Sequence, residues 1–206
     1  MLSVYSVPAA AHQYEFDIKR SRFLCLVQHA DNRQSAEGFI RLQRQLHPQA
    51  AHVCWAYIAG PPNTTLMSMS DDGEPSGTAG RPMLKVLQHS GLGEIVVAVV
   101  RYYGGIKLGT GGLQRAYSDA VTGALNELPT RLQVPRTEVH IRIDYALEAN
   151  VRHCLGQFDI SEPQIHYHQQ VEMHFAVADE QKEQCLRQLT DLCAGALEIS
   201  IPANLS

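Results

Sequence analysis

The chain has 206 residues, 45% of them apolar and 18% charged, and a formal net charge of −4. That length allows one large domain or two small ones, and the composition excludes collagen-like, mucin-like and disordered chains. No apolar run approaches the roughly 18–20 residues a membrane span needs, and the opening MLSVYSVPAAAHQYEF has no basic flank followed by an apolar segment, so a cytoplasmic protein without a membrane partner is expected.

The five cysteines, Cys25, Cys54, Cys154, Cys185 and Cys193, are odd in number and contain no C-x-x-C pair. They read as small buried hydrophobes rather than a disulfide framework or a zinc site. Charge is unevenly spread: residues 1–135 carry 12 Lys and Arg against 10 Asp and Glu, and residues 136–206 carry 5 against 11, giving +2 and −6. Two modules meeting near Pro135 are expected, with any phosphate-contacting surface on the first.

In chain order, His12 to His29 alternates apolar residues around the cluster Lys19-Arg20-Ser21-Arg22 and predicts two strands joined by a charged turn. Ala36, Phe39, Ile40 and Leu46 predict a helix over 35–47 with Ser35 as N-cap. His52 to Ala59 reads as a strand, and 70–80, SDDGEPSGTAG, as an exposed loop, since only Pro75 and Ala79 are apolar. Arg81-Pro82 opens a short helix through about Gln88. Ile95 to Val100 is uninterrupted apolar sequence, the pattern of a strand buried on both faces. A glycine-rich segment, GGIKLGTGG at 104–112, leads to the strongest helical stripe in the chain, Leu113 to Leu128.

Beyond a connector at Pro129 to Pro135, residues 139–145 alternate as a half-exposed strand. A helix around 147–158, a hairpin within 160–177 turning near Gln169-Gln170, a helix around 185–193 and a strand at 197–201 follow. The order β-α-β-β-α-β is that of a ferredoxin-like sandwich. The expected class is α+β, with domains at 1–133 and 134–206.

The strand, glycine loop and helix at 95–128 form an arrangement in which backbone amides approach an anion at a helix N-terminus. The nucleotide motifs fail in detail, since Thr110-Gly111 stands where a Walker A loop needs Lys-Ser/Thr and Gln114 where a dinucleotide fingerprint needs its last glycine. What remains is Arg101, Lys107 and Arg115 as cations for phosphate, with Tyr102 and Tyr103 as rings for an unpaired base. Asp71, Asp72 and Glu74 lie close enough for two carboxylates to share Mg²⁺, although a solvated turn or pairing with the Arg101 cluster is the plainer expectation. His52 and Cys54 face the same side of a strand, but neither a ligand set nor a nucleophile–base pair follows from them.

At RYYGGIKLGTGGLQRAY (101–117), SDDGEPSGTAGRPML (70–84) and KRSRF (19–23), the chain closely resembles the IMPACT family and its YigZ-like bacterial members. The resemblance implies a first domain with the ribosomal-protein S5 domain 2-like fold, a ferredoxin-like second domain, and a pair similar to the last two domains of elongation factor G. Eukaryotic members regulate translation by binding a ribosome-associated activator of a starvation-sensing kinase. For bacterial members the resemblance implies a ribosome- or RNA-linked role, and it carries over no catalytic residues.

The leading expectation is therefore a non-enzymatic, translation-linked regulator contacting RNA, the ribosome, a translation factor or a regulatory protein. Lys19, Arg20, Arg22, Arg101, Lys107 and Arg115 would meet phosphates, Tyr102 and Tyr103 would stack, and Gly104, Gly105, Gly109, Gly111 and Gly112 would admit the ligand to the backbone. The alternative is an enzyme on a phosphorylated small molecule, with the glycine loop as cradle and Asp71, Asp72 or Glu74 holding Mg²⁺ or acting as base. A third, an adaptor, would use the sheet face around His140, Arg142, Glu172 and His174.

Overall fold

The computed structural model describes residues 4–202. They divide into two compact units, Tyr5–Gln133 and residues 134–202 with Val4, and both mix helices with antiparallel sheet, giving an α+β protein.

In the first unit, five strands pair antiparallel in the order β2-β3-β6-β4-β5: β2 (His12–Ile18), β3 (Ser21–His29), β4 (His52–Ile58), β5 (Met67–Ser70) and β6 (Ile95–Tyr102). The continuous apolar run of β6 sits at the centre with Ile95 through Val100 fully buried, as expected of a strand covered on both faces. Its odd residues, Ile95, Val97 and Val99, face α2 (Gly80–Ser90) and α3 (Thr110–Glu127), while Val96, Ala98 and Val100 face α1 (Arg33–Leu46). Helix α3 lays Leu113, Ala116, Tyr117, Ala120, Val121 and Ala124 on the sheet, the stripe its sequence predicts.

Several local expectations are corrected. The N-cap of α1 is Asn32, whose side chain accepts the Ser35 N–H at 2.9 Å, so Ser35 lies inside the first turn. The connector at 129–135 contains β7 (Thr130–Gln133), which pairs with β1 (Tyr5–Pro8). Tyr5 also donates to Glu94, whose other oxygen meets His29 at 2.6 Å, tying β1 back to the sheet. The 70–80 segment is not an open loop, since Glu74, Thr78, Ala79 and Gly80 are buried. Polar residues enter a core when their partners come with them.

The second unit runs β8 (Arg136–Ile143), α4 (Glu148–Leu155), β9 (Gln164–Tyr167), β10 (Val171–Ala178), α5 (Lys182–Leu192) and β11 (Glu198–Ser200). Its antiparallel sheet has the order β11-β8-β10-β9. Val139, Ile141, Ile143, Val171, Met173 and Phe175 pack with Val151, Leu155, Cys185 and Leu189 of the two helices. The alternate residues, including His140, Arg142, Glu172 and His174, lie on the sheet's other face, where Arg142 pairs with Glu172 at 2.7 Å and the His140 and His174 rings stack at 3.9 Å. All five cysteines are free and buried.

One glycine is dictated by close approach. A Cβ on Gly104 would stand 1.9 Å from the Arg20 carbonyl oxygen, where the β2–β3 turn is seated against the loop. We expect Gly104→Ala to destabilise the chain by about 2–4 kcal/mol through overpacking against backbone that cannot give way, read as a lowered urea midpoint. A wild-type midpoint in that variant would contradict this packing.

Candidate functional site

Strand alternation gathers the polar side chains. His52, Cys54 and Arg101 share the α3-facing side of the sheet, with Arg101 opposite His52 and Phe23 in register. The turn at 71–79 folds over the same side and delivers Glu74, which is 7% exposed, to Arg101, which is 5% exposed. Arg101 Nη1 donates to Glu74 Oε1 at 2.6 Å, and the Tyr117 hydroxyl donates to the same oxygen at 2.8 Å. The Cys54 thiol meets the Tyr117 oxygen at 3.3 Å and donates to the Asp71 carbonyl at 2.9 Å. Burial pushes the pKa values of Cys54 and Tyr117 far above their ordinary ranges, so both stay protonated. The thiol is a structural donor rather than a nucleophile.

The turn is anchored by its own carboxylates. Asp71 accepts the backbone N–H groups of Gly77, Ala79 and Gly80 at 2.8–2.9 Å, capping α2 from a distance. Burial acts to raise its pKa, but those three amides, with Arg81, outweigh it and hold the carboxyl below the usual aspartate range. Asp72 accepts the Val53 N–H at 2.8 Å and Arg44 at 2.6 Å, and the His52 ring bonds the Asp72 carbonyl at 2.8 Å. The three acidic residues therefore serve the fold, each in its own direction, and do not converge on a shared Mg²⁺. Of the two plainer expectations, a solvated turn and a turn pairing with the Arg101 cluster, the structure contains the second, with Glu74 as the carboxylate and Arg101 as the cation.

The expected phosphate-binding residues separate into two groups. Arg101 is not a surface cation. Its guanidinium lies 5.4 Å from the ring centres of both Phe23 and Tyr103. Tyr102 points to the α1 side, where its hydroxyl bonds His47 at 2.7 Å and Arg22 covers one ring face at 4.8 Å, so it is already engaged within the fold. Arg22 is further engaged with Glu15 at 3.7 Å.

Lys19, Arg20, Lys107 and Arg115 are exposed, as is Tyr103 at 49%. Lys19 and Arg20 form the β2–β3 turn against Gly104, while Gly105, Gly109 and Gly111 face open space and Gly112 lies near Leu108. Gly109 has φ +74°, a backbone state that favours glycine, as the chain bends into α3. Arg115 sits on α3 away from the buried stripe formed by Leu113, Ala116 and Tyr117. Beside the loop a cleft of about 500 Å³ is lined by His52, Glu74, Arg101, Tyr103, Lys107 and Thr110, among others. Sequence reading placed Tyr117 only in an apolar stripe and weighed Cys54 only as a ligand or nucleophile, so it missed both as members of the buried network; the one signal was a phenol hydroxyl within a buried stripe, which demands a partner.

The fold and the site define an α+β protein with a basic glycine loop beside a buried acid–base pair. Residues 19–125 match the Impact N-terminal domain, and residues 141–196 match a domain of unknown function, DUF1949. The IMPACT family member of Haemophilus influenzae is 39% identical over 97% of this chain and 98% of its own length, and YigZ of Escherichia coli is 40% identical over 94% and 95%. A crystal structure described as that of a hypothetical protein aligns with TM-score 0.74 and 38% identity over 99% of this chain and 100% of the other. The chain belongs to the IMPACT family.

Removing one partner of the buried pair strands the other charge. Arg101→Met is therefore expected to cost about 3–5 kcal/mol, measured by denaturant unfolding; a loss below about 1 kcal/mol would mean that Glu74 finds another partner. Asp71 imposes a pH signature. Its folded pKa is depressed, so its stabilisation is complete above the unfolded aspartate range near about pH 4 and is lost as pH falls through the folded value. Comparing Asp71→Asn with wild type, the stability gap should narrow as the pH is lowered through that window, and a constant gap would show that the charge is not what the amides bind.

Proposed function

We propose that the chain is a non-enzymatic, translation-linked cytoplasmic protein that binds RNA, free or within the ribosome, through the glycine-loop face of its first unit. The observation that carries this reading is the β2–β3 turn. Lys19 and Arg20 both adopt left-handed backbone, with φ +47° and +65°, at positions where hairpins ordinarily place Asn-Gly. Two charged residues holding strained conformations on an exposed tip seated against a glycine loop are a cost to the fold, and such strain concentrates at functional sites. With Lys107 and Arg115 they present positive charge to phosphates, and the exposed Tyr103 ring offers a stacking face.

The same reading takes residues 1–133 as an S5 domain 2-like unit, with one helix on one face of the sheet and two on the other, and 134–206 as a ferredoxin-like unit. The strand order β11-β8-β10-β9, with helices after the first and third strands in sequence, supports the second assignment. A Mg²⁺-assisted enzyme on a phosphorylated small molecule fits less well, because Asp71 and Asp72 are committed to backbone amides and Arg44, and Glu74 to Arg101 and Tyr117.

Two measurements test the proposal. Binding of single-stranded RNA should weaken with salt at a log–log slope of about −2 to −3, the value for some three to four phosphate contacts; absent or salt-independent binding refutes it. The double variant Lys19→Asn, Arg20→Gly should stabilise the chain by about 1–2 kcal/mol through relief of turn strain while weakening RNA binding. A variant that gains stability and keeps full affinity would remove the turn from the interface.

A further inference from the structure

The cleft of about 500 Å³ beside the glycine loop contains more than contact with a passing strand requires. Arg101 lines it with a side chain only 6% exposed. Of the guanidinium's donors only Nη1 reaches Glu74, and the buried Nε–H has no acceptor among the described residues. A buried guanidinium N–H needs an acceptor, and one that the protein does not supply is met by water or by a ligand.

The N-terminus of α3 opens into the same cleft through Gly109 and Thr110. Its first N–H groups have no acceptor within the helix, no side chain caps them, and the first turn carries no acidic residue. The helix dipole there favours an anion. Lys107, also lining the cleft, pairs with no carboxylate among the described residues. A deep guanidinium, a lysine and a helix N-terminus, drawn from β6, the loop and α3, thus meet at one place.

We infer that this cleft binds a terminal phosphate monoester, the dianionic end of an RNA strand or of a mononucleotide. With its side chain only 6% exposed, Arg101 lies too deep for a backbone that must continue past it and suits an end group better. A monoester also presents three terminal oxygens to three kinds of donor, against two for a diester. The half-exposed Tyr103 ring, against the Arg101 guanidinium, supplies the face on which the attached base stacks. The RNA source of the phosphate rests on the function proposed above; the phosphate site itself does not.

The test compares one short single-stranded RNA with a 5′-phosphate or a 5′-hydroxyl by fluorescence anisotropy, and AMP with adenosine by calorimetry, on the full chain. The 5′-phosphate, AMP or both should bind about tenfold or more tightly than the counterpart lacking the phosphate, and which pair discriminates identifies the source. Two variants locate the effect. Lys107→Ala removes an exposed cation. Thr110→Glu places a carboxylate at the first helical position, where it suits the dipole and keeps the fold but repels a phosphate. Both should abolish the discrimination with thermal unfolding unchanged or, for Thr110→Glu, raised. Equal binding with and without the phosphate in both pairs overturns the inference, as does discrimination that survives in both variants. Salt-dependent RNA binding that ignores the 5′ end would leave the broader RNA reading standing while this site fails.

Discussion

A carboxylate and a guanidinium buried together at the end of β6 govern the geometry around the glycine loop. Glu74 and Arg101 are buried together because either one left unpaired there would cost several kcal/mol, a large share of a domain's net stability. Glu74 arrives on a turn that Asp71 ties to α2 and Asp72 ties to β4, and Tyr117 closes the pair from α3. Turn, strand and helix are thereby fastened at one point. The start of α3 is held in place by that junction, and the near end of the loop that precedes it by the packing of Gly104 against Arg20.

The alternation of β6 then decides what each neighbouring residue can do. Arg101 falls on the α3 side and becomes part of the buried junction, while Tyr102 falls on the α1 side and is engaged by His47 and Arg22. Tyr103 follows the end of the strand and is half-exposed. Three consecutive residues of similar promise in the sequence acquire three different roles: internal pairing, packing, and surface contact.

The cations that stay outside are the ones that bear on recognition. Lys19 and Arg20 stand on a strained turn, Lys107 stands in the loop, and Arg115 on the outer face of α3. Charge here is held by backbone strain and glycine packing instead of ion pairing, which leaves it available to an external anion. The second unit concentrates its acidic residues elsewhere along the chain, and its sheet face carries an Arg142–Glu172 pair and stacked histidines rather than an unpaired basic surface.

Local periodicity made much of the fold legible. The all-apolar run of β6, the stripe of α3, the hairpin around Lys19-Arg20 and the element order of the second unit are properties of neighbouring residues, and alternation or helical spacing reports them directly. The same method missed β1 with β7, four-residue strands whose partners lie more than a hundred residues apart. It also left 70–80 exposed, because a segment whose only apolar side chains are Pro75 and Ala79 gives no local sign that amides and an arginine from elsewhere will satisfy its polar groups. The sequence alone determined which residue types were present for anion recognition and on which elements they stood. Only the tertiary structure decided that Arg101 and Glu74 neutralise each other inside while Lys19, Arg20 and Lys107 remain outside, because the cost of burying a charge depends on a partner that chain order does not reveal.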